Sequence, residues 1–279
     1  MGNVIAFVPA SGGTGATTLA ATVAVRAAAA GRTAVVLDLD RLAGRLDVVL
    51  GVEQLGGWRW PDLADVAGVV DGRQLLGQLP SARGAAALCF GAVGAAAGGA
   101  VGAAAGGAAA NQSDSRLDEV DDWLEQACDV VAGLRAAADV VVLDCPRDER
   151  VLAALADQVD VVVLTVGTGV AQVAAAAVAV PLARQLLDGV RLRPGALSSG
   201  PSVPPLEPWV VLRGQRVDEQ LQDLLMDHLD VPVVGAIGDD RQVLSDLAAG
   251  RPPGAGGRGP VVDLADRLLL RLVLQPDAA

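Results

Sequence analysis

The segment that most restricts what this chain can become is Ser11-Gly-Gly-Thr-Gly-Ala-Thr-Thr18. It follows a short apolar run, Asn3 to Val8, that ends at Pro9, and it precedes a run of helical composition, Leu19 to Ala30, closed by Gly31. A short continuous apolar run bounded by turn residues reads as a strand buried on both faces. Glycines between such a strand and a helix let successive main-chain N–H groups converge on one concavity, where the helix dipole adds partial positive charge. Gly12, Gly13 and Gly15 are spaced for that conformation. Thr33 to Leu39 then reads as a second strand ending in acids, so the order is strand, loop, helix, strand. That order builds a parallel sheet.

The rest of the chain keeps the alternation. Ala138 to Leu143, Asp160 to Val166, Trp209 to Leu212 and Val231 to Ile237 read as strands. Leu117 to Ala137, Ala171 to Leu187, Val217 to His228, Arg241 to Ala249 and Val261 to Leu274 read as helices, with one more between the third and fourth strands. The pattern predicts an α/β fold with a doubly wound, mostly parallel sheet. At 279 residues and 52% hydrophobic content the chain is near the upper size for a single core, so residues 1–279 are expected to form one domain. Only 2% of it is aromatic, so Val, Leu and Ala must fill the interior. Two stretches interrupt the pattern. Gly84 to Ala110 is nearly all Ala and Gly, with Leu88, Cys89 and Phe90 closing a strand and residues 91–111 expected as a low-complexity surface insertion. Beyond Phe90 it has almost no large apolar residues to favour a membrane span, and glycines interrupt it throughout. Leu197 to Pro208, rich in Ser and Pro, reads as a loop.

Charge narrows the function. The formal net charge is −12 and no arginine cluster occurs, which argues against direct binding to a nucleic-acid backbone. All 21 basic residues counted as Lys+Arg are arginines, so any side-chain cation on a ligand must be a planar guanidinium. Cys89, Cys128 and Cys145 form no CxxC pair and fit a reducing cytosol. His228 is the one histidine and falls in a helical run, which disfavours a histidine-based catalytic pair or metal cluster. Met1 to Pro9 lacks the basic start of a signal peptide.

The standard phosphate-loop motif, GxxxxGK[ST], places a lysine after its last glycine and a hydroxyl beside Mg²⁺. Here Ala16 stands at the lysine position and Thr17 at the hydroxyl position. With a strand before it and acid-ended strands downstream, SGGTGATT resembles the deviant Walker A loop of the MinD/ParA family of P-loop ATPases, normally KGGxGK[ST]T. Asp38-Leu-Asp40 with Leu46-Asp-Val-Val-Leu-Gly51 is similar to that family's switch I, and Val140 to Pro146 (VVVLDCP) to its Walker B strand and DxP turn. Gly57-Trp-Arg-Trp-Pro-Asp-Leu63, and the run from Val231 through Gly250-Arg-Pro-Pro-Gly254, look like the CpaE/TadZ-like branch, which includes septum-site-determining proteins.

The resemblance implies a P-loop NTPase fold of the SIMIBI, MinD-like kind, with ATP and Mg²⁺ as cofactors. Ser11, Gly12, Gly13, Thr14, Gly15, Ala16, Thr17 and Thr18 would cradle the phosphates, and Arg213 would lie by the base. Thr17, Asp38 and Asp144 would serve the metal, and Asp40 would position the attacking water. It further implies a homodimer in the cytoplasm or at the inner face of the plasma membrane, with protein partners in a pilus, secretion or division machine. Proteins of that branch tend to carry a receiver-like domain ahead of the loop strand, expected here to be missing or encoded elsewhere. Acids also end buried strands for an ordinary reason, because a strand end meets solvent.

The departures decide the activity. The family's first loop lysine, which reaches a partner's nucleotide, is replaced by Ser11; the second, on the β- and γ-phosphates, by Ala16; and its base-side Asn by Leu212-Arg213-Gly214. One supplied cation is worth about 10³–10⁵ in phosphoryl-transfer rate. Weak Mg-ATP binding with little hydrolysis is therefore expected, in a localisation or regulatory factor. Alternatively, Arg41 or Arg147 stands in for the lysines and the chain is a working ATPase switch, although both also read as solvated surface arginines. A dinucleotide-binding oxidoreductase is a third class, but the loop lacks GxGxxG spacing. Trp58, Trp60 and Trp123 are read as packing under a sheet edge rather than as a partner surface, and Val261 to Leu274 as a helix packed on the sheet rather than a membrane anchor.

Overall fold

Valine runs build the centre of the molecule, because β-branched side chains suit a pleated surface covered on both sides. The computed structural model describes residues 1–64, 66, 68–91, 112–191, 207–215 and 217–274. Among them, β1 (Asn3–Pro9), β2 (Ala34–Asp38), β3 (Ser81–Ala82), β4 (Ala85–Leu88), β5 (Val140–Asp144), β6 (Val161–Gly167), β7 (Trp209–Arg213) and β8 (Val233–Ile237) form one sheet. The strand order is β3-β4-β2-β5-β1-β6-β7-β8. Every pairing is parallel except the short β3–β4 hairpin at one edge.

Strand periodicity sorts the core into two halves. Ile5 and Phe7 face one side, packed with α1 (Ala16–Ala29), α2 (Leu46–Leu50), α8 (Arg241–Ala248) and α9 (Pro260–Leu274). Val4, Ala6 and Val8 face the other, packed with α3 (Gly72–Gln78), α4 (Gln112–Ala137), α5 (Glu149–Leu155), α6 (Val170–Arg191) and α7 (Glu219–Leu229). The alanines of α1 let its backbone lie close over the sheet, and Leu19, Val23 and Ala24 are fully buried. As expected from its sequence, α9 packs inward, burying Leu264, Leu268 and Leu272, with Arg26 bonded to Asp266 at 2.8 Å. By length and composition Val170–Asp188 is apolar enough to cross a membrane, and here it covers the sheet through Ala176, Val180, Ala183 and Leu187.

Several boundaries differ from the sequence reading. The first helix starts at Ala16, not Leu19, because the glycine loop runs straight into its first turn. The fourth helix begins at Gln112 instead of Leu117, and α6 continues through Pro181 to Arg191. Neither α2, α3 nor β3 was legible, since each is too short for a periodic signal. Residues 92–111 of the expected insertion and most of the loop at Leu197 to Pro208 lie outside the described residues. The tryptophans pack as expected: Trp60 lies 6.0 Å from Phe90 and 5.8 Å from Trp123, ring centre to ring centre.

Contact between α3 and α4 depends on two glycines. A Cβ on Gly72 would fall on the carbonyl oxygen of Gly133, and one on Gly133 on the carbonyl of Val70. Gly72→Ala is expected to force the two helices apart and to destabilise the fold by about 1–3 kcal/mol, as overpacking does. Chemical denaturation checks this, and an unchanged midpoint would show that the two helices separate freely.

Candidate nucleotide site

The site starts where β1 gives way to the loop. Ala10 N–H bonds the Thr165 carbonyl of β6 at 3.0 Å. Thr14, 1% exposed, turns its hydroxyl inward to the Thr165 hydroxyl at 2.7 Å and the Ser11 carbonyl at 3.1 Å. The loop is thereby fastened from beneath to β6. Gly13 and Gly15 have φ of 74° and 81°, a region that side chains other than glycine's rarely adopt. A Cβ at Gly12, Gly13 or Gly15 would meet nothing within 4 Å, so the concavity they border is open.

The first turn of α1 completes the cradle. Gly15 is its N-cap and offers no side-chain acceptor, and Leu19 N–H makes the first return bond, to Gly15 O at 2.9 Å. The N–H groups of the first turn are left for an anion, which the helix dipole favours. Ser11 Oγ is buried beside them without a partner among the described residues. Ala16, where the motif has its lysine, is 4% exposed and packs into the core with Ile5 and Phe7.

Acids gather at the neighbouring strand ends. Asp144 closes β5 in register with Asp38 of β2 on one side and Phe7 of β1 on the other. The Thr17 hydroxyl lies beside Asp144 and favours its charged form. Burial pushes the Asp144 carboxyl up to about 8, with the Asp38 charge adding to it and the Thr17 bond opposing it. Burial likewise pushes Asp38 up to about 6, against the N–H groups of Asp40 at 3.1 Å and Leu46 at 3.2 Å. The hydroxyl of Thr17 with the carboxylates of Asp144 and Asp38 is an oxygen donor set that suits Mg²⁺, which takes one or two carboxylates and completes its shell with phosphate and water.

The other predicted residues are arranged less simply. Both Asp38 oxygens hold the loop that follows, and a Cβ on Gly44 would strike that carboxylate. Asp40 spends Oδ1 on its own turn, accepting from Leu42 N–H at 3.1 Å and Ala43 N–H at 2.9 Å. Thr14 can offer a ligand only its main chain, because its hydroxyl faces β6. Arg213 lines a cavity of about 200 Å³ with Gly13, Thr14, Gly15 and Thr18, but its guanidinium is bonded to Asp239 at 2.7 Å. Arg41 lies over Trp123, 5.3 Å from the ring centre. Arg147 is exposed, with no partner among the described residues. Sequence reasoning missed Thr165, Asp239 and the α8 residues Val243, Leu244 and Leu247 that wall the cavity. The acids Asp239 and Asp240 after β8 repeat the acid-ended-strand signal of β2 and β5 and mark that wall.

No family model matches the chain. Uncharacterized proteins from two strains of Mycobacterium tuberculosis are 38% identical over 87 residues, a stretch of 31% of this chain and 24% of theirs. Among solved structures, a ParA family ATPase from Chlorobium tepidum superposes with a TM-score of 0.69 at 14% identity, covering 96% of this chain and 98% of that one. The septum site-determining protein MinD from Pyrococcus horikoshii, complexed with Mg-ADP, gives 0.59 at 18%, covering 99% and 100%. The chain therefore has the P-loop fold of the ParA and MinD ATPases.

The raised carboxyls set a pH dependence. Asp38 and Asp144 hold protons more tightly in the folded chain than at their ordinary value of 3.8. Their contribution to stability is complete below about pH 4 and is lost as pH rises through about 6 and then about 8. Wild-type melting temperature is expected to fall between pH 5 and pH 9, and Asp144→Asn to flatten much of that fall. An equal slope in the variant would mean that burial does not act on this carboxyl.

Proposed function

We propose that this chain is a degenerate member of the MinD/ParA family that binds Mg-ATP weakly, hydrolyses it slowly or not at all, and works as a localisation or regulatory factor. The observation that carries this reading is an open, amide-lined glycine loop with a hydroxyl and two acids at its mouth, but with Ser11 and Ala16 where the family has lysines. Phosphate binding draws on main-chain N–H groups, which the loop leaves free, and on a metal, which Thr17, Asp38 and Asp144 would hold. Phosphoryl transfer additionally needs cations aimed at charge that develops on the γ-phosphate. Removing both lysines therefore suppresses hydrolysis more than binding.

The WPDL stretch and the C-terminal run favour the CpaE/TadZ-like branch. We accordingly place the protein as a dimer in the cytoplasm, brought by protein partners to the inner face of the plasma membrane. There it would serve a Tad-type pilus or secretion apparatus, or septum placement. Its net charge of −12 suits protein partners better than nucleic acid. A second reading, an active ATPase switch using guanidinium groups, is favoured by the exposed Arg147 at the end of β5 and by Arg41 beside Asp40.

Calorimetric titration with Mg-ATP, alongside a phosphate-release assay, tests the proposal. Weak binding without measurable turnover is expected in the wild type. Ala16→Lys is expected to tighten binding about tenfold or more, the worth of a charge-assisted contact, and to bring turnover with it. Wild-type hydrolysis at the rate of a working ATPase of this fold would sink the degenerate reading and leave the second one standing.

A further inference from the structure

We infer that Arg41 is the cation that serves the phosphates in this chain, and that Trp123 holds it in reserve; the inference rests on the nucleotide reading above. With no lysine in the sequence, a side-chain cation on a phosphate can only be an arginine. The arginines around the site differ in how firmly they are tied. Arg213 is bonded to Asp239 at 2.7 Å. Arg59 donates to the carbonyls of Val52 at 2.7 Å and Leu55 at 3.1 Å, and Arg45 to that of Gly44 at 3.0 Å. Arg41 has no carboxylate or carbonyl partner among the described residues, and its guanidinium lies 5.3 Å from the centre of the Trp123 ring.

Its backbone is nevertheless well placed. Arg41 follows Asp40 in a turn closed by Asp40 Oδ1 on the N–H groups of Leu42 and Ala43, by Gly44 N–H on the Asp40 carbonyl at 2.9 Å, and by both oxygens of Asp38. Only β5 separates β2, which carries this turn, from β1, which carries the glycine loop. At the usual spacing the two strand ends are about 10 Å apart, a gap that a long side chain starting on the turn can bridge.

The relative strengths give the direction of exchange. An arginine over an indole near solvent is weakly held, whereas a guanidinium on phosphate makes paired, charge-assisted bonds. Phosphate therefore draws Arg41 off the ring. The ring itself stays put: Trp123 is packed against Trp60 and Phe90, 5.8 Å and 6.1 Å between ring centres, and Trp60 Nε1 donates to the Asp38 carbonyl at 2.7 Å. Trp123 thus competes with the phosphates for one cation, and occupancy of the site is registered on α4.

Competition predicts effects of opposite sign. Mg-ATP titrations on the full chain should show Arg41→Ala weakening affinity about tenfold or more. Trp123→Leu should tighten it about two- to fivefold by removing the rival contact. In the double variant the gain from Trp123→Leu should vanish, which is the mark of direct coupling. Arg147, exposed and likewise without a partner among the described residues, is the rival cation, and Arg147→Ala should cost clearly less affinity than Arg41→Ala. Trp123→Phe, which keeps an aromatic ring in the cluster, replaces the leucine variant if thermal melting shows that one misfolded, with a smaller gain expected. In a Trp58→Phe, Trp209→Phe background, Mg-ATP should also alter tryptophan emission. If Arg41→Ala binds as wild type, or if Arg147→Ala takes the loss, the inference is overturned while nucleotide binding stands. If the wild type binds no Mg-ATP, the nucleotide reading falls and the inference with it.

Discussion

A ring of main-chain N–H groups aimed at one point does not hold itself together. The donors have no acceptor of their own, their dipoles are nearly parallel, and the glycines that permit the shape also permit many others. In this chain the ring is held from below. Thr14 is fully buried and locks its hydroxyl to Thr165 of β6, while its neighbour strand end is fixed by Ala10 on the same residue. Because β6 is the strand next to β1, loop geometry becomes a property of the sheet. The sheet in turn is fixed by two buried halves of core, so the cradle is as rigid as the fold itself.

That dependence explains which parts could be read in advance. Strands β1, β5 and β6 announce themselves as short apolar runs because they are covered on both faces, and α1 as an Ala- and Val-rich run directly after the loop. The glycines and the acids at strand ends likewise lie in local sequence. What local sequence does not encode is the partner of each polar group. Nothing near Thr14 signals that its hydroxyl crosses to a residue 151 positions away. Arg213 stood where a base contact was expected, yet its bond to Asp239 depends on the β7–β8 pairing. The five-residue α2 and two-residue β3 are too short to show a period at all.

The same geometry gathers acids at the mouth of the loop. Asp144 and Asp38 sit on adjacent strands in register, both deeply buried, with only a hydroxyl and main-chain N–H groups to stabilise their charge. Burial favours protonation of both carboxyls, and a divalent ion held there would offset their charge and supply the field that a phosphate needs.

Replacement of the lysines separates two things that a complete phosphate loop confuses. Lysine contributes nothing to the φ angles of Gly13 and Gly15 or to the Thr14–Thr165 bond, so its loss leaves the fold untouched. It contributes most of the charge that acts on the reacting phosphate, so its loss is felt mainly in the chemical step. The open glycine loop and the free N–H groups of the first helical turn stand independently of any side-chain cation. With no lysine in this sequence, any side-chain cation that reaches the loop is a guanidinium, broader and planar where an ammonium is compact.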